Sequence, residues 1–118
     1  MEKKSLYKYH YRPGYGSDKL LIEFVSGVEC DTFFSDLFDA LKAIRPNVIG
    51  MMDLWMNDEF VYEVDSDKGS FSVSKDIWDF AFITSDRNQD CISAIDQILV
   101  GDVRFARVEV DYGKYKGV

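Results

Sequence analysis

Two apolar stripes at helical spacing, separated by a block of short alternating segments, limit this chain to very few architectures. Phe34, Leu37, Phe38, Leu41 and Ile44 recur three or four residues apart, while Asp36, Asp39 and Lys42 fall on the other side of the same turn sequence. That spacing predicts a helix from Thr32 to Ile44. Asp31 stands as its N-cap, with a carboxylate able to accept from first-turn amides, and Pro46 stops it. Ile92, Ile95, Ile98 and Leu99 form the second stripe, with Asp86 and Gln89 spaced as a capping box and Gly101 at the end. A helix with one apolar stripe must bury it against another layer.

That layer is supplied by strands. Val48 to Met56 runs into Asn57-Asp58, then Phe60, Tyr62 and Val64 alternate up to Ser66-Asp67-Lys68-Gly69. Phe71 and Val73 form a shorter segment before Lys75-Asp76, and Ile77 to Thr84 follows with Trp78, Phe80 and Phe82 on one face and Asp79 on the other. Short connections make these four segments antiparallel neighbours. Leu20 to Val25 precedes the first helix, and Val103 to Tyr112 follows the second with a phase change that a bulge near Phe105 would explain. Leu6 to Arg12 places Tyr7, Tyr9 and Tyr11 opposite Lys8, His10 and Arg12, which suits an edge strand or an extended arm within residues 1–19.

The expected fold is therefore α+β: a two-layer sandwich with a mostly antiparallel sheet of about six strands and two helices on one face. The order is β-α-β-β-β-β-α-β, with an extra strand at the start as an option. Each helix can cross over between parallel strands, as in a ferredoxin-like variant. The 118 residues suit a single domain with a core of its own, and 47% hydrophobic content supports one.

Charge narrows the partner classes. Residues 1–19 carry five basic against two acidic side chains, residues 20–103 five against seventeen, and residues 104–118 four against two, within a net charge of -7. Such a body repels a phosphate backbone, so direct nucleic-acid binding is not expected. Apolar runs such as Val48 to Met52 fall far short of the ~20 residues that span a bilayer, and no signal-type run opens the chain. The expectation is a soluble cytoplasmic protein without a membrane partner. Cys30 and Cys91 are too few and too distant to mark a disulfide framework; two reduced, packed thiols are expected, with a single bridge as the alternative.

No motif for catalysis or cofactor binding stands out. Asp65-Ser66-Asp67-Lys68-Gly69 imitates a calcium loop, but Gly69 occupies a ligand position and Ser70 the place of the required glycine, so a hairpin turn is expected and no metal. His10 is the sole histidine. Cys30 precedes a helix but is flanked by Glu29 and Asp31, which oppose thiolate formation. Carboxylate acid–base work would need Glu23, Asp53 and Asp79 to form a cluster, and alternation argues against it. No glycine pattern cradles a phosphate. No cofactor is expected.

The strongest functional signal is the crowding of Asp53, Asp58, Glu59, Glu63, Asp65 and Asp67 around Trp55, Met56 and Tyr62. Aromatic anchors ringed by charge suit a protein interface, and complementary charge speeds encounter with a basic partner. In size, charge and α+β pattern the chain resembles the small acidic immunity proteins that bacteria make against their own toxins. That resemblance implies a non-enzymatic complex with a toxin domain, often a basic nuclease. The expected interface is Asp53, Trp55, Asp58, Glu59, Tyr62, Glu63, Asp65 and Asp67. A small-molecule sensor domain, a small carboxylate enzyme and a homodimer joined through the tyrosine-rich ends are the alternatives.

Overall fold

The computed structural model describes residues 6–112, apart from Tyr15, Trp55, Asn57 and the side chain of Leu54. Its elements are β1 (Tyr7–Pro13), β2 (Leu20–Ser26), α1 (Phe33–Ala40) continued by a 3-10 turn (Leu41–Ile44), β3 (Asn47–Leu54), β4 (Glu59–Asp65), β5 (Phe71–Asp76), β6 (Ala81–Thr84), α2 (Gln89–Val100) and β7 (Phe105–Arg107). The strands form one mixed sheet in the order β3-β4-β5-β6-β2-β1-β7. All neighbouring pairs are antiparallel except β1 and β7, which run parallel.

Pairing directions around the sheet make β3 parallel to β2, and β7 parallel to β6. Both helices are therefore crossovers between parallel strands. β2 and β6 run antiparallel, and their crossovers travel in opposite directions across the sheet. One handedness then puts both helices on the same face. That shared face carries Tyr7, Tyr9, Ile22, Phe24, Val64, Phe71, Val73, Ala81, Ile83 and Phe105, all buried against Phe33 and Leu37 of α1 and Ile92, Ile95 and Leu99 of α2.

The sheet has seven strands rather than six, because the opening segment is an interior strand and not an edge or arm. β1 lies between β2 and β7. Its tyrosines explain the placement: Tyr7 and Tyr9 have no exposed surface, and the Tyr7 ring lies 5.0 Å from Phe105 and 5.5 Å from Phe33. Phe24 closes the cluster 5.0 Å from Phe33. Aromatic pairs at these separations contribute about 0.5–1.5 kcal/mol each beyond the area they bury. The two ends of the chain also meet through Tyr112, whose hydroxyl donates to the Tyr11 carbonyl at 2.6 Å. Tyr115 lies outside the described residues.

Several local expectations need correction. α1 has Thr32, not Asp31, at its N-cap, and no side chain caps it. Its last turn tightens into the 3-10 form and ends at Arg45 in left-handed conformation, with φ of 51°, immediately before Pro46. α2 begins at Gln89 behind Asn88, so Asp86 and Gln89 form no capping box. Gln89 instead ties the helix to the sheet: its Oε1 accepts from the Leu20 amide and its Nε2 donates to the Leu20 carbonyl. The segment from Ile77 to Thr84 is strand only from Ala81, and residues 77–80 form a turn. The last strand is limited to Phe105–Arg107, with Val103 and Arg104 in the preceding turn, so the phase change marks a strand start and not a bulge. Bulges occur in β3, between Val48 and Gly50, and where β1 passes from Lys8 to Tyr9. Cys30 is exposed rather than packed, Cys91 is buried, and both are free.

Candidate functional site

α1 and α2 do not cover the whole helix-side face. Register places Val48, Met51 and Asp53 of β3 on that face, opposite Val64, Tyr62 and Phe60 of β4. Val64 is buried and Tyr62 packs edge-on against Phe34 of α1, 5.2 Å between centroids. Beyond Tyr62 the cover ends: Phe60 is 43% exposed and Met51 57%. The β3–β4 hairpin therefore projects past the core and leaves apolar side chains open.

The turn between β5 and β6 extends this open end. Asp76 organises it, accepting on one oxygen from the amides of Trp78 at 2.9 Å and Phe80 at 3.1 Å. With those amides satisfied, the turn presents Ile77 and Trp78, each 62% exposed, and Phe80 beside them. The Ile77 amide donates to the Asp58 carbonyl at 3.1 Å, which locks this turn to the tip of the β3–β4 hairpin. Asp53, Asp58, Glu59, Phe60 and Ile77 line a shallow depression of about 230 Å³ between the two turns.

The carboxylates around the depression owe their places partly to turn chemistry. Asp58 and Asp79 have φ of 53° and 64°, the left-handed region that aspartate tolerates better than most residues. Register divides the side chains here between two faces: Met51, Phe60 and Asp53 are on the helix side, Phe80 lies opposite Asp76 and with Glu59 on the helix-free side, and Ile77, Trp78 and Asp79 stand in the turn between. Lys75, opposite Phe60, directs its ammonium toward the Phe34 ring, 6.0 Å from the centroid. It is the basic group nearest this end on β5.

The eight residues expected at an interface divide into separate places. Asp53, Asp58 and Glu59 gather at the hairpin tip with Phe60 and Ile77. Tyr62 is half-buried under α1. Glu63 points to the opposite, helix-free face, where its carboxylate accepts from the Ser72 hydroxyl at 2.9 and 3.0 Å. Asp65 and Asp67 lie at the far end of β4. Asp65 accepts from the Ser66 amide, and Asp67 pairs with Arg45 at 2.8 Å, which holds its carboxyl below the usual range. Trp55 lies outside the described residues. The missed members are Ile77, Trp78, Phe80, Asp76 and Asp79. Their sequence signal was Asp79 between two aromatics just after Asp76, a polar interruption that a core strand would not carry.

Of the carboxylates considered for acid–base chemistry, Glu23 is set apart from Asp53 and Asp79, which stand at the open end. Glu23 lies on the helix-free face, paired with buried Arg12 at 2.8 Å. Asp53 is on the helix side of β3, with β4, β5 and β6 between the two strands. The Asp65–Gly69 segment is a turn closed by the Gly69 amide on the Ser66 carbonyl. Among the described residues no three His, Cys, Asp or Glu side chains group to hold a metal. His10 Nδ1 lies 2.9 Å from the Val108 carbonyl, in the contact between the chain's two ends.

One fully buried carboxylate is structural. Asp96 of α2 accepts from the Tyr9 hydroxyl at 2.8 Å and from Arg107 Nη1 at 2.7 Å, joining the helix to β1 and β7. Burial and the Asp96 carboxylate together push the Tyr9 phenol far above its ordinary range. No helix among the described residues is long and apolar enough to cross a membrane. No protein-family model, curated protein or solved structure matches the chain.

Proposed function

We propose that this chain is a cytoplasmic protein-binding module that docks a basic protein on the open end of its sheet, and that it acts as an immunity protein neutralising a basic toxin domain. The observation that carries the reading is the coincidence of apolar and acidic side chains at one end. Ile77, Trp78, Phe80, Phe60 and Met51 lie exposed at the end of the sheet beyond the helices, Met51 and Phe60 on the helix side and Phe80 on the other, with Asp53, Asp58, Glu59, Asp76 and Asp79 distributed among them around that end. Apolar anchors of this kind supply affinity on desolvation, while the surrounding carboxylates steer a basic partner and fix its orientation. The acidic body, at a net charge of -7, adds long-range attraction of the same sign.

Within this reading the contact region is narrower than the acidic stretch of the sequence. Glu63, Asp65 and Asp67 have partners of their own away from the open end, Ser72, Ser66 and Arg45, and play no direct part. The same proposal treats the architecture as a ferredoxin-like frame. With β1, β4 and β5 set aside, the remaining strands stand in the order β7-β2-β6-β3, with α1 and α2 as their crossovers.

Co-expression with the product of the adjacent reading frame tests the function. Rescue of growth from a toxic neighbour, with a purified complex that weakens as salt rises, is the expected result. Joint charge reversal at Asp53, Asp58 and Glu59 should weaken that complex about tenfold or more at low salt, with a smaller effect at high salt. A harmless neighbour that does not bind removes the immunity assignment. Equal binding by the charge-reversed variant removes the open end as the site.

A further inference from the structure

The edge of the open end has unpaired backbone as well as exposed side chains. In the β5–β6 hairpin the Asp76 amide donates to the Phe80 carbonyl at 3.0 Å, which makes 76 and 80 a hydrogen-bonded pair. Hydrogen-bonded and non-hydrogen-bonded pairs alternate along antiparallel strands. Lys75, opposite Ala81, therefore turns its amide and carbonyl toward β4, where it faces Phe60. Phe60 and Tyr62 then bond to β5, and Val61 and Glu59 bond to Met52 and Leu54 of β3. Met51 and Asp53 are left with amides and carbonyls directed away from the sheet.

Between Gly50 and Leu54 β3 carries few of the usual guards of an exposed edge, Asp53 being its one charge. It is eight residues long, contains no Lys, Arg or Pro, and is regular from Gly50 to Leu54 beyond its bulge. The opposite edge is protected: β7 has three residues and carries Arg107. Both side-chain faces of β3 are apolar and exposed, with Val48 and Met51 on one and Met52 on the other.

Building on the docking function proposed above, we propose that the partner binds by strand addition, laying an extended basic segment antiparallel or parallel along β3 and bonding to the backbone of Met51 and Asp53. Main-chain bonds to the free edge supply affinity, and alternate side chains of the incoming strand meet the two apolar faces. Charge selects the occupant. The segment passes Asp53 and ends near Asp58 and Glu59, so lysine or arginine at that end gains an opposite charge. A second copy of this chain would bring another body of net charge -7 to the same edge.

Proton exchange measured by NMR on the intact protein tests this with three fluorescent octapeptides: alternating Val and Lys, alternating Val and Glu, and the Val–Lys peptide N-methylated at every second amide. The expected result is at least tenfold tighter binding of the unmodified Val–Lys peptide than of either other peptide. Saturation should slow exchange at the Met51 and Asp53 amides at least tenfold and leave Met52 and Leu54 unchanged. Met51→Pro, which removes an outward amide without touching the β4 ladder, should abolish that binding. Equal binding of the N-methylated peptide without added protection would overturn strand addition and leave apolar docking at the open end intact. Absence of binding by both unmodified peptides would also overturn it. Protection at Met51 and Asp53 that grows with protein concentration, without peptide, would assign the edge to a second copy and overturn the basic-partner proposal.

Discussion

Replacing Asp96 by alanine should destabilise the fold by about 3 kcal/mol. The side chain accepts two short hydrogen bonds at 2.7 and 2.8 Å in a site with no solvent exposure. Bonds to a charged group are worth about 1.5–3 kcal/mol each, and a buried donor left without an acceptor costs about 1–3 kcal/mol. Two effects reduce the total. Arg107 is one-third exposed and has Glu109 3.4 Å away, so its charge rehydrates. Loss of the carboxylate also relieves its own desolvation. The Tyr9 hydroxyl keeps only the Asp96 carbonyl at 3.3 Å. A loss of about 3 kcal/mol in a domain of this size lowers Tm by about 10 °C. Urea melts of Asp96→Ala, Tyr9→Phe and the double variant would measure it, with unchanged m values as the check on two-state behaviour. Tyr9→Phe alone should cost about 1–2 kcal/mol, because Arg107 still holds the carboxylate. The two changes should be coupled by about 1 kcal/mol or more. A loss under about 1 kcal/mol for Asp96→Ala, or strict additivity, would refute the assignment of this network as the tie between α2, β1 and β7.

Three further outcomes follow from the same geometry. The raised phenol of Tyr9 keeps its proton in the folded state at pH values where the unfolded chain loses it, so its contribution is complete below about pH 10 and is lost as pH rises further, by up to about 1.4 kcal/mol per unit; urea midpoints at pH 9 and 11 should differ less in Tyr9→Phe than in the parent. Exposed Cys30 should react with a thiol reagent in the native protein, whereas Cys91, buried and with its thiol pushed up by burial, should react only on unfolding, and two equally fast thiols would contradict the packing of α2. Gly27→Ala should cost about 2 kcal/mol or more by urea melt, since φ is 92° and a Cβ would sit 2.3 Å from the Leu6 carbonyl oxygen; a neutral substitution would contradict the close approach of β1 to the β2 end.

The elements whose apolar residues face one buried layer were legible in sequence. The stripe from Ile92 to Leu99 and the alternation of Phe60, Tyr62 and Val64 have the period that burial demands, and both elements stand where expected. The interior position of β1 was not legible, because the tyrosine alternation of Tyr7 and Tyr9 suits an amphipathic edge as well as a core strand until Asp96 and Asp36 are found to accept from their hydroxyls. Helix caps are not legible in sequence for a related reason. Asp31, Thr32, Asp86 and Asn88 all have cap chemistry, and tertiary bonds such as Gln89 to Leu20 decided among register choices only one or two residues apart. The candidate site was half legible. Charge density pointed to the β3–β4 hairpin, but sequence could not show that Glu63, Asp65 and Asp67 face elsewhere or that the β5–β6 turn returns to Asp58. Apolar residues in that turn imitate a strand, and only the Asp76 bonds to the Trp78 and Phe80 amides distinguish the two.

The most direct test of the docking account is growth rescue and complex formation by two variants co-expressed with the product of the adjacent reading frame, which the account proposes to be toxic. One carries Ile77→Asp and Trp78→Asp at the open end; the other carries Asp65→Lys and Asp67→Lys at the far end of β4. Both sites are exposed, so both variants should fold with melting curves close to the parent. The account predicts that the first loses rescue and binding while the second keeps both. Full rescue by the first variant, or its loss by the second alone, would contradict it.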